Sequence, residues 1–127
     1  MTVNDPATLA EVEAVFERYE TALGTNDVAA LDGFFFDSPH TLRYGVGENL
    51  YGFAAIAAFR LARPGGSPPR RIIRRVITTY GPDFATANVE FQRDGGGRTG
   101  RQSQTWVRFE AGWRIVAAHV SLMAQTH

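Results

Sequence analysis

The chain contains no cysteine and no lysine. Without thiols there is no disulfide framework, no cysteine-based zinc site and no thiol nucleophile. The same absence fits a reducing, cytoplasmic setting. All 13 basic residues are arginine, and 13 acidic residues balance them. A chain with no net charge has no general field for drawing in nucleic acid or anionic lipid. No apolar run approaches the roughly 18 residues that suggest a membrane span. Met1 to Asp5 also lacks the basic and apolar regions of a secretory leader. The expectation is one soluble domain over residues 1–127, large enough to bury a core without staples.

Several motifs are missing as well. Gly95-Gly96-Gly97 lacks the Lys-Ser/Thr pair of a phosphate-binding loop. There is no dinucleotide fingerprint, no His-Glu-x-x-His and no nucleophile elbow. The three histidines, His40, His119 and His127, are too scattered to suggest a metal site. No cofactor is expected.

What is present is helical spacing followed by strands. Asp5-Pro6-Ala7-Thr8 reads as a capped helix start, with proline in the first turn. Leu9, Val12, Val15, Phe16, Tyr19 and Leu23 then recur at helical spacing up to Gly24. Asn26-Asp27 caps a second helix predicted over Val28 to Phe36. Thr41 to Tyr44 is predicted as a short strand, Gly45 to Asn49 as a loop, and Phe53 to Ala62 as a third helix. Pro64 to Pro69 reads as a break inside the domain. The second half predicts four strands: Arg71 to Tyr80, Phe84 to Arg93, Gln102 to Phe109 and Trp113 to Leu122, joined by short turns. Helices first and a meander afterwards argue an α+β fold. In it, three N-terminal helices cover one face of a curved antiparallel sheet, and sheet curvature leaves a conical cavity at one end.

Several residues could give that cavity chemistry. Tyr19 lies on the apolar stripe of the first helix. It is either a core tyrosine with a satisfied hydroxyl or a site hydroxyl. Arg43 follows a phenylalanine-rich helix in an apolar strand. Its planar fork suits a carboxylate, the other reading being an edge-strand arginine reaching solvent. His119 on the last strand is a satisfied core or interface residue, or a ligand contact. Gln104 and Trp106 share one face of their strand, and Asn88 and Glu90 share one face of theirs. Parity alone leaves open which face meets the cavity. The last strand divides ambiguously into Trp113, Ile115, Ala117 and His119 against Val116, Ala118 and Val120. Arg70, Arg71, Arg74 and Arg75 put arginine on both faces of one strand and read as solvated rim or subunit contacts. Glu90 is the one strand carboxylate placed for an isomerase-type proton shuttle. An apolar outer face, with Trp113, Ile115 or Val107 on it, predicts a two-fold dimer.

The order of elements, with the tail Gln104-Thr105-Trp106, Gly112 to Val116 and His119-Val120-Ser121, resembles the nuclear transport factor 2-like architecture. A closer resemblance covers most of the chain. Arg43-Tyr44-Gly45-Val46-Gly47-Glu48-Asn49-Leu50-Tyr51-Gly52, Thr79 to Asn88 and Gly100 to Trp106 are similar to the AtzH/HpxZ family. That resemblance implies a function beside amidase-signature enzymes in cyanuric acid, oxalurate and related ureide breakdown. It implies, for one branch, a metal-free decarboxylating amidohydrolase acting on 1,3-dicarboxyurea. The family's active tyrosine and arginine fall on Tyr19 and Arg43. Asn88, Gln104, His119 and Trp106 are the expected substrate contacts. The other branch of expectation is a non-catalytic domain that captures a small carboxylate or supports a partner amidase.

Overall fold

The structure is a computed structural model that describes residues 1–124; His127 lies outside the described residues. Helix α1 (Pro6–Gly24) starts where the Asp5 carboxylate accepts hydrogen bonds from the Thr8 backbone N–H at 3.1 Å and the Thr8 hydroxyl at 3.0 Å. That cap satisfies one of the otherwise orphaned N–H groups of the first turn. The buried stripe is Thr8, Val12, Val15, Phe16, Tyr19 and Ala22, one face of an amphipathic helix. Helix α2 (Val28–Gly33) is capped by Asp27, which accepts from the Ala30 N–H at 3.1 Å. It stops short of the predicted Phe36 because the sheet recruits Phe34 to Phe36. The Phe36 N–H donates to the Ile115 carbonyl at 3.0 Å, and the Ile115 N–H donates to the Phe34 carbonyl at 2.7 Å. Helix α3 (Phe53–Ala62) has the predicted bounds.

Among the described residues six strands form one sheet: β1 (Leu42–Tyr44), β2 (Asn49–Tyr51), β3 (Arg70–Tyr80), β4 (Phe84–Arg93), β5 (Gly100–Phe109) and β6 (Gly112–Leu122), in the order β2-β1-β6-β5-β4-β3. Two features differ from expectation. The segment Asn49–Tyr51 is a strand, because the Gly45 N–H donates to the Glu48 carbonyl at 2.9 Å and closes a tight hairpin. The sheet is also mixed, since β1 pairs with β6 in parallel, Arg43 beside Ala118.

The helices cover one face. On it lie Ala85, Ala87, Val89 and Phe91 of β4 and Gln102, Gln104 and Trp106 of β5, all buried. The ambiguous alternation of β6 is resolved by a bulge. Thr105 pairs with Ala117 but Trp106 pairs with Ile115, so Val116 is the extra residue. The buried side chains of β6 are accordingly Trp113 and Ile115 before the bulge, Ala118 and Val120 after it. Trp113 and Ile115 therefore belong to the core and not to an outer docking face, as their 6% and 0% exposure shows.

Candidate functional site

Hydrocarbon fills most of the space between helices and sheet, but not one end of it. There the start of β3, the end of β4, the start of β5 and the end of β6 lie side by side. They enclose a hollow of about 100 Å³ with α1, the β1–β2 hairpin and the segment after α3. A lobe of about 20 Å³ adjoins it, reaching toward Ile56, Phe59 and Arg60. The space suits a small guest; drug-sized ligands occupy pockets of roughly 300–1,000 Å³.

Tyr19 and Arg43 line this hollow together. The Tyr19 ring is wedged edge-on against Phe34 and Trp106, at centroid distances of 5.9 and 6.4 Å. Only 4% of the residue is exposed. Its hydroxyl oxygen accepts from Gln102 Nε2 at 3.3 Å. The phenol's own proton is therefore free to donate to a guest.

Arg43 points inward because it sits beside the buried Ala118 and opposite Leu50 in the hairpin. Its guanidinium lies 5.8 Å from the Phe59 ring centroid and donates to the Glu48 carboxylate at 3.0 Å. The other Glu48 oxygen accepts from the Gly47 N–H at 3.2 Å. This arrangement needs glycine at 45. A Cβ there would fall 1.7 Å from Glu48 Oε1.

The remaining charge is arginine. Among the described residues, Arg63, Arg70 and Arg93 also line the hollow, against one lining carboxylate, Glu48. Arg63 lies 5.2 Å from the Phe59 centroid; burial, and then the nearby Arg43 charge, hold its pKa below the usual guanidinium value. Arg70 lies 4.7 Å from the Phe91 centroid and is ion-paired with Glu20. Arg93 stacks on the same ring at 5.8 Å. Gly100 makes room for Phe91, whose ring tip would lie 2.2 Å from a Cβ at that position.

The other expected contacts are elsewhere. Gln104 and Trp106 are on the inner face but one layer below the hollow. Trp106 Nε1 donates to Gln104 Oε1 at 3.0 Å, and neither residue lines the cavity. Asn88 is on the opposite face of the sheet, where its side-chain oxygen accepts from the Ser103 hydroxyl at 2.7 Å. The bulge places His119 on that same outer face, exposed and edge-on to Tyr44 at 5.5 Å. Glu90 is there too, between Arg74 and Arg101 in register, so it cannot serve as a base in the hollow. Sequence reasoning missed Gln102, Glu48, Arg63, Arg70 and Arg93. The parity that groups Gln102 with Gln104 and Trp106 was a usable signal for the first. Arg70, expected at a rim, has a side chain only 7% exposed.

Known proteins share this architecture. A crystal structure of a protein of unknown function from Pectobacterium atrosepticum is 57% identical, covering 96% of this chain and 95% of that one, with a TM-score of 0.93. A cystatin-like fold protein from Burkholderia xenovorans is 46% identical over 99% of both chains, with a TM-score of 0.94. An NTF2-like protein of unknown function from Pseudomonas putida, 15% identical over 95% of this chain and 90% of that one, has a TM-score of 0.79 and shows the fold alone. No curated protein matches the sequence. The AtzH-like family model matches residues 1–126. With the NTF2-like, cystatin-like fold established by its neighbours, the chain belongs to the AtzH-like family.

Proposed function

We propose that this protein is a small amidohydrolase that decarboxylates and cleaves a carboxylated urea such as 1,3-dicarboxyurea. The observation that carries the reading is the shared hollow, in which the Tyr19 hydroxyl and the Arg43 guanidinium face a space sized for such a molecule. Arg43 keeps donors beyond the one given to Glu48 and can take a guest carboxylate in a charge-assisted pair. Tyr19, with Gln102 donating to its oxygen, can pass its proton to the nitrogen as the N–carboxylate bond breaks and carbon dioxide leaves, or to the leaving nitrogen as water adds to the urea carbonyl. General acid-base assistance of this kind is worth ~10²–10⁴-fold. That is modest for an ordinary amide but adequate for a substrate already prone to lose carbon dioxide. The protein would act in the cytoplasm beside an amidase-signature enzyme of ureide nitrogen catabolism. A second copy would cover the outer sheet face, where Ile73, Val76 and Phe84 are 49%, 43% and 41% exposed. Among the described residues no helix is long and apolar enough to cross a membrane.

The test is to incubate purified protein with dicarboxyurea, allophanate and oxalurate, following carbon dioxide and ammonia. Turnover of at least one, lost in Arg43→Ala, is expected. Binding without turnover would instead favour a carboxylate-capturing partner of the amidase.

A further inference from the structure

Gln104 and Trp106 lie one layer below the hollow, yet hydrogen-bond polarity links them to it. Trp106 Nε1 can only donate, so it fixes the orientation of Gln104: the carbonyl Oε1 faces it, at 3.0 Å. The Gln104 amide Nε2 is thereby turned away as a donor, and it is buried with no partner in the protein. Gln102 presents the complement. Its Nε2 meets the Tyr19 hydroxyl at 3.3 Å, and its carbonyl Oε1 is buried with nothing to accept. Among the described residues these are the one unmatched amide donor and the one unmatched side-chain carbonyl of the interior. The two glutamines stand two apart on the buried face of β5, about 7 Å along the strand, a gap their side chains span with or without one water. Ala87 and Ala118 flank Gln104 on the neighbouring strands, and Val89 and Val120 flank Gln102, so those positions offer no competing polar side chain. Arg63 and Arg70, which also carry an unmatched buried Nε, are held over Phe59 and Phe91.

The direction of these bonds decides what Tyr19 can do. A glutamine can meet a hydroxyl either way round. Its Nε2 leaves the phenol proton free, whereas its Oε1 would take that proton for itself. Once Gln104 Nε2 donates to Gln102 Oε1, directly or across one buried water, Gln102 has only Nε2 left for Tyr19. We propose that Trp106 and Gln104 are positioning residues for Tyr19: a one-way chain of donors, from Trp106 to Gln104 to Gln102 to the phenol oxygen, keeps the Tyr19 proton available to the hollow. The inference rests on the hydrolase reading only in giving that proton a use; the chain itself needs no turnover.

Nuclear magnetic resonance and kinetics test it. Tyrosine is labelled at the hydroxyl-bearing ring carbon, and the Tyr19 signal is assigned through Tyr19→Phe. Gln102→Met should shift that signal. Gln104→Met should shift it too, although Gln104 does not touch the hydroxyl, and should add no further shift once residue 102 is methionine. Reciprocally, the Gln104 Nε2 proton signal, moved downfield by its bond in the wild type, should return toward the free-amide position in Gln102→Met. In a turnover assay Gln104→Met should lower kcat about two- to tenfold at unchanged KM, up to the size of one neutral hydrogen bond, because Gln102 can then turn and claim the phenol proton. Circular dichroism checks each fold. Should Gln104→Met not fold, the Gln104 amide signal compared between wild type and Gln102→Met is the deciding measurement. A Tyr19 signal indifferent to Gln104→Met, shifts that add in the double variant, or a Gln104 amide signal unmoved by Gln102→Met would overturn the chain. In an active enzyme, an unchanged kcat in Gln104→Met would overturn the positioning role. Coupled shifts without turnover of any carboxylated urea would reject the hydrolase reading alone; turnover with uncoupled shifts would reject the chain alone.

Discussion

The two ends of the space between α1 and the sheet are built from the same strands and are opposite in character. Toward the middle and the far end, Val12, Phe16, Ala85, Trp106 and Ile115 pack at 0–1% exposure. At the other end the same strands carry Arg70, Arg93 and Gln102, and the packing stops around a polar hollow. One end holds the fold together. The other keeps several like charges together around a hollow at a cost in stability, which is how binding sites commonly differ from cores.

Substitutions should separate the two ends. Tyr19→Phe should lower turnover by ~10²–10⁴-fold, the scale of a lost proton donor, while melting stays near wild type. Equal loss of stability and turnover would make Tyr19 a core residue after all. Ile115→Ala, at the packed end, should cost about 2–5 kcal/mol in chemical denaturation, by methylene loss plus the cavity left behind. Arg63→Gln should change stability by no more than about 0.5 kcal/mol, or raise it, because it relieves a guanidinium crowded by burial and by Arg43. A loss comparable to Ile115→Ala would erase the contrast. On the outer face, Asn88→Ala and His119→Ala should leave KM and kcat unchanged. The smallest effect concerns Tyr51, whose pKa is raised by its hydrogen bond with Tyr44 and then by the Tyr44 charge. Tyr44→Phe should return the Tyr51 titration toward the ordinary phenol range in alkaline ultraviolet spectra.

Long periodic segments made the fold legible. The stripe from Val12 to Tyr19 and the strands of β3 to β6 carry their own patterns, and Asp5 and Asp27 mark helix starts by local chemistry. Short elements were hidden by tertiary effects. Asn49–Tyr51 becomes a strand only because β1 is there to pair with, and α2 ends early because Phe35 and Phe36 join β6. In the site, Tyr19 and Arg43 stood out as polar groups in apolar surroundings. His119 did not separate from core candidates, because one extra residue at Val116 reverses the parity of everything after it. The other arginines of the hollow were equally opaque. Arg70 and Arg71 are neighbours in sequence, yet one is buried over Phe91 and the other is exposed.

The most direct measurement is a double-mutant cycle on carbon dioxide release from dicarboxyurea, using Tyr19→Phe, Arg43→Gln and both together. Two groups gripping one guest are coupled, so the double variant should lose little more than the worse single variant. Strictly additive losses, or full activity in either single variant, would show that the phenol and the guanidinium do not act on the same molecule.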